Sequence, residues 1–404
     1  MQPSLKTDKR FSLSVLLITA VMVLSHGTFR LEGMNADVFA INYRHGFVAR
    51  GLPGAFLDLV CAVLGDKYYT YNTVLVIYIV FLLLYFAVLW FLGKKLIRAV
   101  DRKEYAMTFV MMFTPFFVEM FISFSNTGRT DMFLIVLSVI AGYAVMKEKA
   151  LILCVICPAI GVMIHEGYIM DYYNIVIACL LYKIIFSEGK KRTRYLAWFG
   201  ASVCCTAILV TWLFALSKVY FPVSQETYDE IVANAEILTS EGGYTHYQFL
   251  NAEVLGTDLY DSEAEFMALA LTELPLFLIC FMPLFIKGYK IIKRIVTATE
   301  FKKTAIVLCM GPLSLVPLFV RKCDYGRWLF AFITYYVVVM ALIIISGNKT
   351  VEKAFEDEAE STMKNGWEGV FLAMYLMLFV PFRTIYVSGL SKGILNLIAR
   401  IVGL

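Results

Sequence analysis

Long apolar stretches separated by short polar turns recur along almost the whole chain. Lipid offers a bare backbone no hydrogen-bond partners, so uninterrupted apolar runs approaching about 20 residues predict helices that cross roughly 30 Å of hydrocarbon. About eleven such spans are predicted, over 11–25, 71–93, 105–124, 132–146, 150–164, 168–186, 196–220, 267–286, 304–320, 328–346 and 367–387. Those at 132–146 and 150–164 are short, and one pair could form a re-entrant hairpin. The first span follows Lys9-Arg10 and shows no small-residue cleavage site before Ser25, which predicts an uncleaved anchor. The expected fold class is therefore all-α, a polytopic transmembrane helix bundle forming a single integral membrane domain over residues 1–404.

Charge sets the orientation. With a cytoplasmic N-terminus, the inner segments hold 24 of the 36 Lys and Arg, including the runs GKKRTR and KGYKIIKR. That bias is the one the positive-inside rule describes. On this topology Asn348-Lys349-Thr350 is a chance sequon on the inner side. Two outer segments are long. Residues 26–70 contain GLPGAFLDLVCAVLG (51–65), apolar but too short to cross, which predicts an amphipathic helix lying in the interface. Residues 221–266 carry ten Asp and Glu between Glu226 and Glu265 and no Lys or Arg, the composition of a solvated cap. The tail 388–404 is expected along the outer interface.

Composition agrees and narrows the class. With 60% hydrophobic and 17% charged residues, 404 residues cannot be a set of soluble domains or a disordered chain. Nine Cys are too sparse for a disulfide scaffold, and a net charge of +4 is too weak for a nucleic-acid binder. Neither G-x-x-x-x-G-K-[ST] nor a strand-bound G-x-G-x-x-G occurs, which argues against an ATP-driven pump.

Polar residues at membrane edges are costly and often functional, and in this topology they gather on the outer side. The first outer loop, NADVFAINYRHGFVARGLPG, carries Asp37, Arg44, His45 and Arg50. SNTGRTD supplies Asn126, Arg129 and Asp131. HEGY supplies His165 and Glu166, with Asp171 close behind, and RKCDYGRW supplies Arg321, Lys322, Asp324 and Arg327. Each has a plainer reading: helix caps for Arg129 and Asp131, a satisfied structural pair for His165-Glu166, an i, i+3 pair for Asp324 and Arg327, and snorkelling arginines at span ends. Taken together they suit catalysis on an anionic lipid-linked substrate. Asp37, His165, Glu166 and Asp131 are the candidate acid–base groups, and Arg44, Arg50, Arg129, Arg321 and Arg327 the candidate phosphate ligands. The aromatics Tyr43, Phe47, Tyr168, Tyr325 and Trp328 could stack on sugars or form the ordinary interfacial belt. Cys154-x-x-Cys157 lies in an apolar span without further ligands and reads as packing. No metal site and no cofactor is predicted, although Asp37 with Glu166 could hold a divalent ion if they meet.

This layout resembles the GT-C class of polytopic glycosyltransferases. The likeness rests on Asp37 in NADVF, the segment GLPGAFLDLVCAVLG, Asp131 in GRTD, and the long outer loop after the seventh span, over roughly the first 290 residues. It departs from many members in having Asp37 alone where adjacent acids are usual. The resemblance implies a polyprenyl-phosphate sugar donor used at the outer face, with Asp37 as base. The outer arginines are also similar to those of O-antigen polymerases and ligases, in which they handle a polyprenyl pyrophosphate. The expected partners are a polyprenyl-linked sugar donor, a glycan or lipid acceptor and membrane lipids, with no nucleic acid. The expected location is a bacterial plasma membrane with the active face outward. The competing reading is a transporter or flippase, in which Glu119 and Glu273 would be the embedded acids.

Overall fold

The computed structural model describes residues 3–27, 30–46, 48–122, 127–216, 222–240, 245–255, 263–297, 301–321 and 324–378. The expected interfacial tail 388–404, Asn126, Phe47 and Lys322 lie outside these. Among the described residues the chain is helical and forms no strand, in keeping with the all-α expectation. Among the described residues five helical stretches are long and apolar enough to cross a membrane: Tyr71–Ala99, Lys103–Ile122, Gly189–Leu213, Leu271–Val296 and Tyr325–Ile345. Helices at Gly51–Leu64, Asp131–Met146, Leu153–Ile164 and Tyr173–Phe186 are apolar but shorter.

The chain divides into two compact units. One holds residues 1–27, 89–125 and 262–404. Its buried spine is the Tyr325–Ile345 helix, 83% of whose most apolar stretch is enclosed, against 28% for Tyr71–Ala99. The expected span 105–124 is interrupted: Lys103–Met112 ends at Phe113 and a new helix runs Thr114–Ile122. Pro115 cannot donate a backbone hydrogen bond and its ring crowds the carbonyl four residues earlier, at Met111, so the first helix ends just after it and Pro115 falls in the first turn of the second. Likewise the expected span 304–320 is two helices, Phe301–Leu313 and Val316–Arg321, parted at Ser314-Leu315 after Pro312.

A helix unmarked by the hydropathy reading, Lys349–Lys364, ties the basic segments of this unit together. Glu356 accepts the Asp101 and Arg102 amides at 2.6 and 2.7 Å, and Arg102 pairs with Asp357 and Glu360. Buried Glu358 takes Lys287 at 2.9 Å and Arg294 at 3.2 Å. These basic residues, read from sequence as plain inner runs, are therefore engaged with one acidic helix.

The second unit holds residues 28–88 and 126–261. The helices Asp131–Met146, Leu153–Ile164, Tyr173–Phe186 and Gly189–Val210 pack into a four-membered cluster. Apolar helices gain nothing by association that lipid tails would not also give, so close approach and polar links matter. Gly161 supplies the approach, since a Cβ there would sit 2.8 Å from the Tyr168 ring. Tyr168 bonds Ser138 at 3.0 Å, Tyr173 bonds Ser202 at 2.9 Å, and Ser202 donates to the Cys154 carbonyl at 2.6 Å. Cys154 and Cys157 are buried free thiols of this packing.

The segment 30–64 is built on the same close approach. The Gly51–Leu64 helix buries Gly51, Pro53, Gly54, Leu57 and Cys61 and exposes Phe56, Leu59, Val63 and Leu64. Gly54 lies on the 39–41 backbone so closely that a Cβ would stand 2.2 Å from the Ile41 carbonyl oxygen and 2.8 Å from that of Phe39. Backbone cannot yield as a side chain can. Gly54→Ala is therefore expected to push the helix off the 33–41 segment and to cost about 3 kcal/mol or more, as other severe overpacking does. Melting of the purified variant would check this, and a wild-type melting temperature would refute the packing argument.

Candidate functional site

The site grows from the short helix Gly33–Asp37 and the turn that follows it, Val38–Ala40. Asparagine and glycine contacts lock this segment. Asn35 donates to the Thr127 carbonyl at 2.9 Å, and Gly128, at φ +102°, leaves room for Asn35 where a Cβ would come within 2.6 Å. At the end of the helix Asp37 is fully enclosed. Its Oδ2 accepts the His246 amide at 2.7 Å, while Oδ1 has no hydrogen-bond partner among the described residues. Burial pushes this carboxyl up to about 7, against the lowering effect of the His246 amide.

The His246 amide belongs to the segment expected to be a solvated cap, whose first helix is solvated on its acidic face and packed on the other. The Gln225–Thr239 helix buries Ile231, Ala235 and Leu238 against 33–40. Burying that stripe is worth more than solvating it, about 25 cal/mol for each Å² of apolar area. The Tyr247–Leu250 turn and the Asn251–Leu255 turn then bury Phe249, Leu250 and Val254. Its acids face two ways, with Glu230 largely exposed and Glu253 largely covered.

Glu253 meets Arg50. The Arg50 guanidinium forks onto Glu166, with Nε to Oε2 at 2.9 Å and Nη2 to Oε1 at 2.5 Å, and Nη2 also reaches Glu253 at 3.1 Å. The guanidinium carbon lies 5.4 Å from the centre of the Phe249 ring, within cation–π range. Arg50 itself sits in the left-handed region at φ +59°, a conformation costing about 1 kcal/mol that these bonds hold in place. Burial alone would raise the Glu166 carboxyl, but Arg50, followed by His165, holds it well below the usual carboxylate range. His165 Nδ1 accepts the Gly167 amide at 2.8 Å and lies 3.5 Å from Glu166 Oε2. Accepting that amide directs the proton of the neutral ring to Nε2.

The expected residues separate accordingly. Asp37, Arg44, Arg50, Arg129, Asp131, His165 and Glu166 all belong to one unit. Within it, the 246–253 segment touches both Asp37 and Arg50, and Arg50 joins Glu166. Asp131 is buried and accepts the Tyr172 hydroxyl at 3.1 Å, the role of a structural acceptor at a helix start. Arg129 is buried beside it in sequence. Arg44 bonds Asp58 at 2.7 Å with its side chain still 57% exposed. Arg327 belongs to the other unit, where it lies 3.8 Å from Asp324 as the i, i+3 spacing suggests. Arg321 closes the Val316–Arg321 helix, and its side chain is outside the described set. Among the described residues, no three His, Cys, Asp or Glu side chains are grouped to hold a metal ion.

Sequence reasoning missed Glu253 and His246. The signal was present: Ile231, Ala235 and Leu238, then Phe249, Leu250 and Val254, recur at helical spacing inside an otherwise acidic segment. Residues that recur so belong to a packed face, and Glu253 rides on it. No family model matches the chain, and no curated protein and no solved structure matches it either.

Proposed function

We propose that this chain is a multi-pass membrane glycosyltransferase that moves a sugar or oligosaccharide from a polyprenyl-phosphate or polyprenyl-pyrophosphate carrier during cell-surface glycan assembly. The observation that supports this best is Asp37, an enclosed carboxyl pushed up to about 7 with one oxygen unbonded. A base with that affinity for protons is half ionised near neutral pH, where general-base transfer is most efficient. In the step proposed, Asp37 takes the proton of an acceptor hydroxyl as that oxygen bonds the anomeric carbon. The bond from that carbon to the phosphate oxygen breaks, and the polyprenyl phosphate leaves with the electron pair. Arg129, buried in the same unit as Asp37, is the cation assigned to the leaving phosphate. Incubating nanodisc-embedded protein with a panel of labelled polyprenyl-linked sugars and following label onto acceptor or water tests the reading. No transfer from any donor would overturn it.

The proposed topology has about eleven spans, a cytoplasmic N-terminus and the Asp37 face outward in a bacterial plasma membrane. It makes its own prediction. In a cysteine-free background, a cysteine at Glu230 should react with an impermeant maleimide on intact cells, and one at Lys191 only after permeabilisation. Both side chains are well exposed, at 60% and 71%, so the contrast reports sidedness and not burial. The reverse pattern would invert the chain.

A transporter is the second reading, drawing on the interruptions at Phe113 and Ser314-Leu315 within apolar stretches. Its test is uptake by Glu119→Gln and Glu273→Gln variants, which the transferase reading leaves active.

A further inference from the structure

A second polar cluster lies in the same unit, around the turn Tyr43–His45, and the acid–base and phosphate assignments above leave it unexplained. Asn42 is fully buried, and its Oδ1 accepts the Arg44 amide at 2.7 Å. That bond fixes the amide's orientation, so Nδ2 points away from the turn with no partner. His45 Nδ1 accepts the Asn42 amide at 3.4 Å, which leaves the proton of the neutral ring on Nε2. Nε2 is buried without a hydrogen bond, its nearest acid being Glu230 Oε1 at 3.7 Å. The Tyr69 hydroxyl is also buried and unbonded, and it lies within electrostatic reach of Asp58, Arg44 and Glu230, the same groups that act on His45.

Among the described residues these three groups find no hydrogen-bond partner within 3.5 Å, a costly arrangement unless something accepts from them. Their neighbours decide what. Arg44 is neutralised by Asp58, and Glu230 adds a further negative charge, so the cluster carries about one excess negative charge and repels phosphate. A ligand that accepts from Asn42, His45 and Tyr69 while donating to Glu230 and Asp58 must carry groups that do both. Hydroxyl groups on a ring do this.

We propose that Asn42, His45, Tyr69, Glu230 and Asp58 form a neutral-sugar subsite that binds pyranose hydroxyls. This rests on the transferase reading only for its purpose, as the place where acceptor or donor sugar is held. The test is saturation-transfer NMR on the protein in lipid nanodiscs, free of sugar-headed detergent, with methyl glycosides of hexoses, N-acetylhexosamines and a deoxyhexose, and inorganic phosphate as competitor. At least one glycoside should be saturated and phosphate should not displace it. Tyr69→Phe removes only the O–H, and Asn42→Asp keeps the oxygen that caps the turn while removing the N–H donor. Each should weaken binding about fivefold, the value of one hydrogen bond. Tyr69→Phe should melt as wild type does; Asn42→Asp adds an enclosed carboxylate, so its binding is compared once circular dichroism shows the helical fold intact.

Failure of every glycoside to bind, displacement by phosphate, or unchanged binding in both folded variants would overturn the subsite. Glycoside binding by a protein that transfers from no polyprenyl-linked sugar would leave the subsite standing and remove the transferase reading. Transfer without glycoside binding would do the opposite.

Discussion

Asp37→Asn is expected to abolish transfer, by a factor of about 10² to 10⁴, while making the protein more stable above pH 7. Both effects come from one fact. The folded state raises this carboxyl from 3.8 to about 7, so folding favours its protonated form. A raised carboxyl contributes stability in full below its unfolded value and loses it as pH climbs through the folded value. Above about 7 the native protein encloses an ionised carboxylate whose Oδ1 has no hydrogen-bond partner among the described residues. Asparagine can still accept the His246 amide and carries no charge, so the gain at pH 8 has an upper bound of about 4 kcal/mol. As pH falls below the folded value the gain shrinks, to roughly 1.6 kcal/mol at pH 5, and it vanishes only below the unfolded value of 3.8. Melting of both proteins across that range checks the stability. Wild-type transfer should rise through about pH 7 as the base ionises. Equal melting at all pH values would mean that Asp37 is not held protonated.

Arg50→Ala should be the most damaging single change outside the base, costing about 3 kcal/mol or more. Removing one partner of a covered ion pair is expensive because the other charges stay behind, and here two remain, on Glu166 and Glu253. Contact with the Phe249 ring is lost as well. Arg50→Lys should recover little, since an ammonium cannot present a planar fork to Glu166 and reach Glu253 together. Adding Glu253→Gln to Arg50→Ala should restore part of the loss, because it removes one stranded charge. Proteolysis of the 222–255 segment would report the order, with Arg50→Ala cut fastest. Acid should act with the opposite sign from Asp37. Glu166 is held well below its ordinary range, so its contribution is present above the unfolded value and is lost only as pH falls through the folded one.

Much of the architecture was legible in residue order alone. Apolar length marks the long helices, because backbone polar groups in lipid must be satisfied within the segment. The apolar but short 51–65 run was legible as a separate helix, and Gly51–Leu64 is one. Where prolines interrupt apolar runs, the broken helices at Phe113 and Ser314 were implied by Pro115 and Pro312, although the average hydropathy of those runs conceals the breaks. The Lys349–Lys364 helix escaped notice because its buried acids, Glu352, Glu356 and Glu358, read as solvent-facing until their cationic partners are located.

By itself the sequence determined the helical class and the long apolar segments. Those follow from properties each stretch carries alone, its length, its apolarity and its charge. Only the tertiary structure decided that the acidic segment folds onto residues 33–40, that Arg50 meets Glu166 and Glu253, and that Asp37 is enclosed. Each is a meeting of residues far apart in the chain, such as Asp37 with His246 and Arg50 with Glu253. A carboxyl's proton affinity and an arginine's availability depend on what lies within a few ångströms, and the order of residues does not state that distance.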